Sequence, residues 1–328
     1  MTDINKVLRH QLQLARLERQ GFNSFIAPSL GETLREIRRI LADVDTITNR
    51  RQLRALETAI TAAIQNQTGW AALTDELTDL AIYENTFYAR LIGAAAAQDE
   101  MVQRLASRTM MVLRSGERYN TGLFPDFIRD NLGSQASAVN NIVRTGYANG
   151  LTGRQMRGQI SNLFDGLLTR HAQTLAQTGY AHYASVGRRA FAEANKDVVV
   201  REIPVVTFDS RVSDTCVSIS ARYGEKGWPV GESPIGFPPY HMNCRTTVVP
   251  TTEAGLTGTR SSSGDQAGQI PAKTPVDKFV RDQSPEFQNE LLGPERAQLF
   301  REGKLSLRNL TDPQLKPLSL DELRGLGG

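Results

Sequence analysis

The pattern of apolar residues changes once along this chain, near residue 198, and that change limits the folds open to it. Before it, apolar residues recur at three-and-four spacing: Ile4, Val7, Leu8 and Leu12; Leu34, Ile37, Ile40 and Leu41; Leu53, Leu56, Ile60 and Ile64. Such spacing places an apolar stripe on each of a succession of amphipathic helices. Breaks are expected at Gly21 and Pro28, from Asp45 to Asn49, around Gly69, from Gly116 to Pro125, from Gly150 to Gly153 and near Asn195 to Asp197. The small side chains of Gly93-Ala94-Ala95-Ala96-Ala97 suit tight helix packing in a bundle core. After the change, Val198-Val199-Val200 and Ile203 to Phe208 are short β-type runs, and Arg245 to Val249 is a last one that ends at Pro250. Residues 251–275, rich in Gly, Ser and Thr, read as a linker that cannot bury a core. A helical segment anchored by Phe279, Phe287, Leu291, Leu292, Leu299 and Phe300 follows. The expected fold class is α+β: a mainly helical N-terminal part, a small mixed α/β module and an extended C-terminal arm.

A chain of 328 residues has room for two modest domains and their connections. No apolar run approaches the roughly 18 to 20 residues that span a bilayer. The start Met1-Thr2-Asp3-Ile4-Asn5-Lys6 lacks the basic and apolar stretches of a secretory signal, so cytoplasmic synthesis is expected. Net charge is only +3, and the basic excess is local: eight Lys or Arg against three acids between Arg144 and Arg201. That stretch suits contact with DNA or an acidic protein, or is a solvated helix face. Its candidate contact residues are Arg154, Arg157, Arg188 and Arg189, the last two expected on an exposed face opposite Tyr180, Ala184 and Phe191.

Both cysteines fall in one window. Cys216 closes Asp209-Ser210-Arg211-Val212-Ser213-Asp214-Thr215-Cys216, and Cys244 lies in Pro239-Tyr240-His241-Met242-Asn243-Cys244-Arg245. His241 and Cys244 are three apart, so one tight turn can aim both at a point that Cys216 reaches from a second loop. Cys, His and Cys suit tetrahedral Zn²⁺, with Asp214 or water as the fourth ligand, because the Cys-x-x-Cys partner position holds Ile219. A buried reduced pair and a disulfide are the other two readings. Catalysis lacks support, since no Glu stands at helical spacing from His241 and one His with one Asn cannot build a nuclease site. Pro238-Pro239 implies an extended approach, Asn243 and His241 can satisfy loop backbone, and Arg245 can pair with Asp209 or Asp214. His10, His171 and His182 read as surface or packing histidines.

Taken together, the helical stretches Val139 to Ile160 and Ala172 to Ala194, the Asp209 to Cys216 turn, Gly224 to Trp228 and the Pro238 to Arg245 close resemble the Mu F-type domain of phage minor head, or head-morphogenesis, proteins. The segments Phe279 to Gln288, Leu292 to Arg296, Leu299 to Leu305 and Leu318 to Leu323 extend the resemblance, which covers roughly 139 to 323. Ile219 departs from it, standing where many relatives have another Cys. With the resemblance marking the module, the chain is expected to divide into a helical portal- or shell-docking region at 1–138, which carries no family signature, a Mu F-like module at 139–250, a linker at 251–275 and a C-terminal helical arm at 276–328. It implies a non-enzymatic minor component of a tailed-phage head, acting in assembly and in genome packaging or delivery. The implied partners are the portal protein, a major capsid or scaffold protein, and phage DNA. The implied place is the head interior or portal vertex, after assembly in the host cytoplasm. Structural zinc is the one cofactor considered. The competing functions are a DNA-binding accessory factor and a Mu F-type effector or toxin-like enzyme, and the latter would need an added domain with its own chemistry.

Overall fold

The computed structural model describes residues 2–115, 118–265 and 268–326. The chain is mixed α/β, 62% helical with small sheets, and among the described residues no helix is long and apolar enough to cross a membrane. It divides into two compact units, each assembled from separated stretches of sequence.

The first unit, residues 15–77 with 122–179, is helical. The helix Arg50–Gln65 buries Leu56, Ile60 and Ile64 and packs on the helix Phe124–Asn149, which buries Ala136, Val139 and Val143. Polar residues of the same faces pair across that contact: Asn140 donates to Thr61 at 3.0 Å and Gln67 to Gln135 at 2.8 Å. Boundaries follow local chemistry. Asn49 caps one helix by accepting from the Gln52 amide, and Gly150 ends another in the left-handed region at φ 66°. Gly21 and Pro28 do not break the chain as expected. Phe22–Ile26 widens into a π-turn, with the Ala27 amide reaching back to the Phe22 carbonyl, and the helix resumes as Ala27–Ile40 with Pro28 in its first turn. A π-turn gives helical continuity without the normal bond ladder, and a first-turn proline has no ladder donor to lose.

The second unit comprises residues 1–14, 78–121 and 180–328. At its centre is a three-stranded antiparallel sheet in the order Trp228–Pro229, Arg201–Val205, Thr247–Thr251, with Ile203 opposite Val249. Apart from Arg201 and Pro229 the strand residues are buried, and apolar ones lie on both faces of the sheet. Ile203, Val205 and Val249 face a core with Ile4, Tyr88 and Phe191. Val248 faces a different core with Val217, Ile219, Phe279, Leu291 and Phe300. Pro204 is tolerated in the middle strand because Trp228–Pro229 pairs only with Arg201 and Glu202, which leaves Pro204 a single neighbour.

Several expectations are corrected. The 138/139 division falls inside the helix Phe124–Asn149. The strand begins at Arg201, not Val198, and the last strand continues through Pro250 to Thr251. The strands Met111–Ser115 and Arg118–Gly122 form a sheet inside the part expected to be mainly helical. The small-residue run 93–97 is not helical: the helix stops at Ile92, Gly93 takes φ 79°, and Asn85 holds the Ala97 backbone through both its amide groups. Residues 251–275 are not a plain linker. Leu256–Thr257 pairs with Thr2–Asp3, and Thr259–Ser262 forms a hairpin with Gly268–Pro271. Backbone pairing needs no continuous apolar face, and two anchors suffice: buried Leu256, and buried Arg260 with its guanidinium 3.5 Å above the Phe208 ring. Nor is the C-terminal segment extended, because Phe279, Phe287, Leu292, Phe300, Leu310 and Leu323 build the core beneath Cys216.

Candidate metal centre

Ser213 begins the helix Asp214–Tyr223, its hydroxyl accepting from the Cys216 amide at 3.2 Å, and this cap puts Cys216 in the first turn. Opposite it the chain turns tightly: the Cys244 amide donates to the His241 carbonyl at 3.2 Å, with Asn243 left-handed at φ 57°. Asn is among the few side chains that tolerate this region. Pro239 precedes the turn, after a cis peptide with Pro238. Outside the turn Arg245 clamps Asp209 with two bonds of 2.6 and 2.8 Å, a fork geometry that ties both segments together. Burial opposes ionisation of Asp209, but the Arg245 bonds and charge outweigh it and hold the carboxyl below its usual range. Asp214 does not share Arg245, because it pairs with Arg296 at 2.5 Å.

Cys216, His241 and Cys244 thereby converge, their ligand atoms all within 4.8 Å of one another. Both cysteines are free and buried, the sulfurs 3.8 Å apart, and Cys216 Sγ is 3.2 Å from His241 Nε2. Two sulfurs on one tetrahedral zinc stand about 3.7 Å apart, and a sulfur and an imidazole nitrogen about 3.5 Å. The observed spacing is close to both. His241 Nδ1 donates to the Met242 carbonyl at 2.7 Å, which turns Nε2 toward the sulfurs. Burial lowers the His241 pKa, but the bond and charge of Cys244 outweigh it and raise it above its usual range, and Ser213 Oγ stands 2.9 Å from Nε2. Burial raises the Cys244 thiol, yet bonds from Cys216 and His241 outweigh it and bring Cys244 well below the usual thiol range. Cys216, hydrogen-bonded to Cys244 and buried, is pushed well up.

A cavity of about 240 Å³ adjoins the cluster, bordered by Ser213, Cys216, His241, Asn243, Arg245 and Thr246 among others. Thr246, which borders it, is 5% exposed. The donor set therefore fits zinc held by Cys216, His241 and Cys244, with room for a non-protein fourth ligand beside Thr246. Asp214 is not that ligand, since Arg296 holds it and it lies outside the cluster.

The basic candidates do not form one surface. Arg188 is not on an exposed face: it is 4% exposed and paired at 2.7 Å with Glu84, itself fully buried. Glu84 also bonds His10 Nε2, and the His10 ring stacks on Phe87 at 3.6 Å. The apolar stripe of the 169–194 helix is broad enough to take in position 188, and only a partner from another helix makes an arginine tolerable there. Arg189 is half-buried over the Phe237 ring at 4.6 Å. Arg157 donates to the Leu41 and Ala42 carbonyls at 2.5 and 3.3 Å, capping the end of Ala27–Ile40. Arg154 is exposed. Of the other histidines, His171 is exposed and His10 and His182 are buried. Sequence reasoning missed Ser213, Thr246 and Arg296. Ser213 was recoverable as a Ser preceding an apolar run, the usual helix-start signal. No local signal points to Arg296, 82 residues from Asp214.

No family model, curated protein or solved structure matches this chain.

Proposed function

We propose that this protein is a minor structural component of a tailed-phage head, placed at the portal or inner capsid and acting in head assembly and genome packaging or delivery. Its Mu F-type module would be a structural staple, with zinc at Cys216, His241 and Cys244. One observation carries the reading: residues of three segments behind the family resemblance, the Asp209 to Cys216 turn, the Pro238 to Arg245 close and Leu292 to Arg296, engage one another. Asp209 takes Arg245, Asp214 takes Arg296, and Cys216 faces His241 and Cys244. Both sulfurs are buried and face each other at 3.8 Å, which supports a closing role for the cluster. Bound zinc would cross-link the Asp214–Tyr223 helix to the 241–244 turn.

Portal protein and a capsid or scaffold protein are the partners this reading requires, and DNA contact falls to the exposed Arg154 rather than to Arg188. The test is co-expression of the tagged chain with the portal, scaffold and capsid proteins encoded beside it, followed by sedimentation. The chain is expected in the particle fraction, in few copies and dependent on the portal. Recovery wholly at the top of the gradient, beside normal particles, would remove the head assignment.

A further inference from the structure

A second cavity, of about 530 Å³, lies away from the cysteines in the same unit. One wall is a single stripe of the Thr169–Ala194 helix: His182, Ser185, Val186 and Arg189 fall at i, i+3, i+4 and i+7. The other walls include Met110, Val112, Ile235 and Phe237, and Arg114, whose guanidinium donates to the Gln314 and Ile235 carbonyls. His182 is 3% exposed and its Nε2 has no hydrogen-bond partner. Its other nitrogen is committed to the Thr109 backbone, and burial lowers its pKa to about 4, so the ring is neutral at pH 7 and Nε2 is an acceptor awaiting a donor. Two guanidiniums border the cavity and no Asp or Glu does, among the described residues. Met110 and Val112 expose 58% and 37% of their surface on its rim.

These features constrain an occupant. It needs an anion for Arg189 or Arg114, an apolar body for the aliphatic walls, and an N–H or O–H for His182. A fatty acid has no such donor. A stacked base is disfavoured because Arg189 already covers the Phe237 ring and Arg114 the Tyr119 ring. From residue 182 to 189 the helix rises about 10 Å, a distance that an extended peptide covers in about three residues. We propose that this cavity binds the C-terminal end of a partner polypeptide, its carboxylate at Arg189, an aliphatic last side chain against Val186 and Ile235, and a backbone N–H two residues earlier on His182. The volume is within the range of ordinary ligand pockets.

The probe is acetyl-Leu-Ala-Leu, as the free acid and as its C-terminal amide, titrated into the full-length protein by calorimetry and by nitrogen NMR of the histidine rings. The acid is expected to bind and to shift the His182 Nε2 resonance, with the amide weaker by about tenfold or more, as loss of a charge-assisted contact predicts. Arg189→Gln should weaken the acid by a similar factor and the amide hardly at all, with an unchanged melting temperature. Equal binding of acid and amide, no binding of either at millimolar concentration, or binding indifferent to Arg189→Gln with an unmoved His182 resonance would each overturn the proposal.

Discussion

Two polar clusters in the same unit solve opposite problems. At Cys216, His241 and Cys244 the groups are compact, and the partners lie 25 and 28 residues apart, on a helix start and one tight turn. At Glu84 a full negative charge is shut away between His10 and Arg188, which are 74 and 104 residues distant and sit on other helices. The first is a closure built from soft donors with little intrinsic charge. The second is an ion network whose members are each costly alone and tolerable only together. Short-range clusters announce themselves by spacing, whereas a long-range one exists only after the helices have met. The second should therefore be the more damaging to break.

The sharpest way to break the comparison is Glu84→Ala, which strands Arg188 and the His10 ring in a dry core. A loss of about 3–5 kcal/mol is expected in urea unfolding. Replacing both charged partners, with Glu84→Leu and Arg188→Met, should recover much of it, because the penalty comes from leaving one charge alone. A loss below about 1 kcal/mol for Glu84→Ala would mean the pair is not buried together.

Acidification comes next. The pKa of His182 is lowered from 6.5 to about 4 by burial, so the unfolded chain binds the proton first as pH falls. Stability should decline from about pH 6.5 down to about 4, by on the order of 3 kcal/mol from this group alone. His182→Phe should flatten that part of the curve, and a variant with the wild-type slope would show that His182 is accessible and titrates normally.

The smallest of the three effects belongs to the cysteine cluster. Cys216→Ser should cost about 1–3 kcal/mol. A strong zinc chelator should lower the melting temperature of the wild-type protein and leave the variant where it is. Metal content near one zinc per chain, lost in the variant, is the accompanying expectation, and a wild-type protein purified from zinc-supplemented cells without zinc would exclude the metal.

Legibility followed the same division. Leu34, Ile37 and Leu41, or Leu56, Ile60 and Ile64, mark helices because each apolar stripe is a local property of 3.6-residue periodicity. His241 and Cys244 were readable for the same reason, being three apart. The strands at 256–262 and 268–271 were not, since Gly- and Ser-rich segments carry no periodic signal and gain order from pairing with Thr2–Asp3 and with each other. Position 188 was misread as exposed because a charged residue on a helix is normally solvated, and nothing near it in sequence names Glu84 as its partner.

The amino-acid sequence by itself determined most of the helices, the turn to strand texture near residue 200, and which three side chains could meet a metal, all matters of residue type and short spacing. Tertiary structure decided which charges are buried, that the C-terminal segment packs beneath Cys216 instead of extending, that Asp214 answers to Arg296, and that four residues of one helix line a cavity. Those outcomes depend on contacts between distant segments, and a contact's energy is defined only once both sides have lost water to each other.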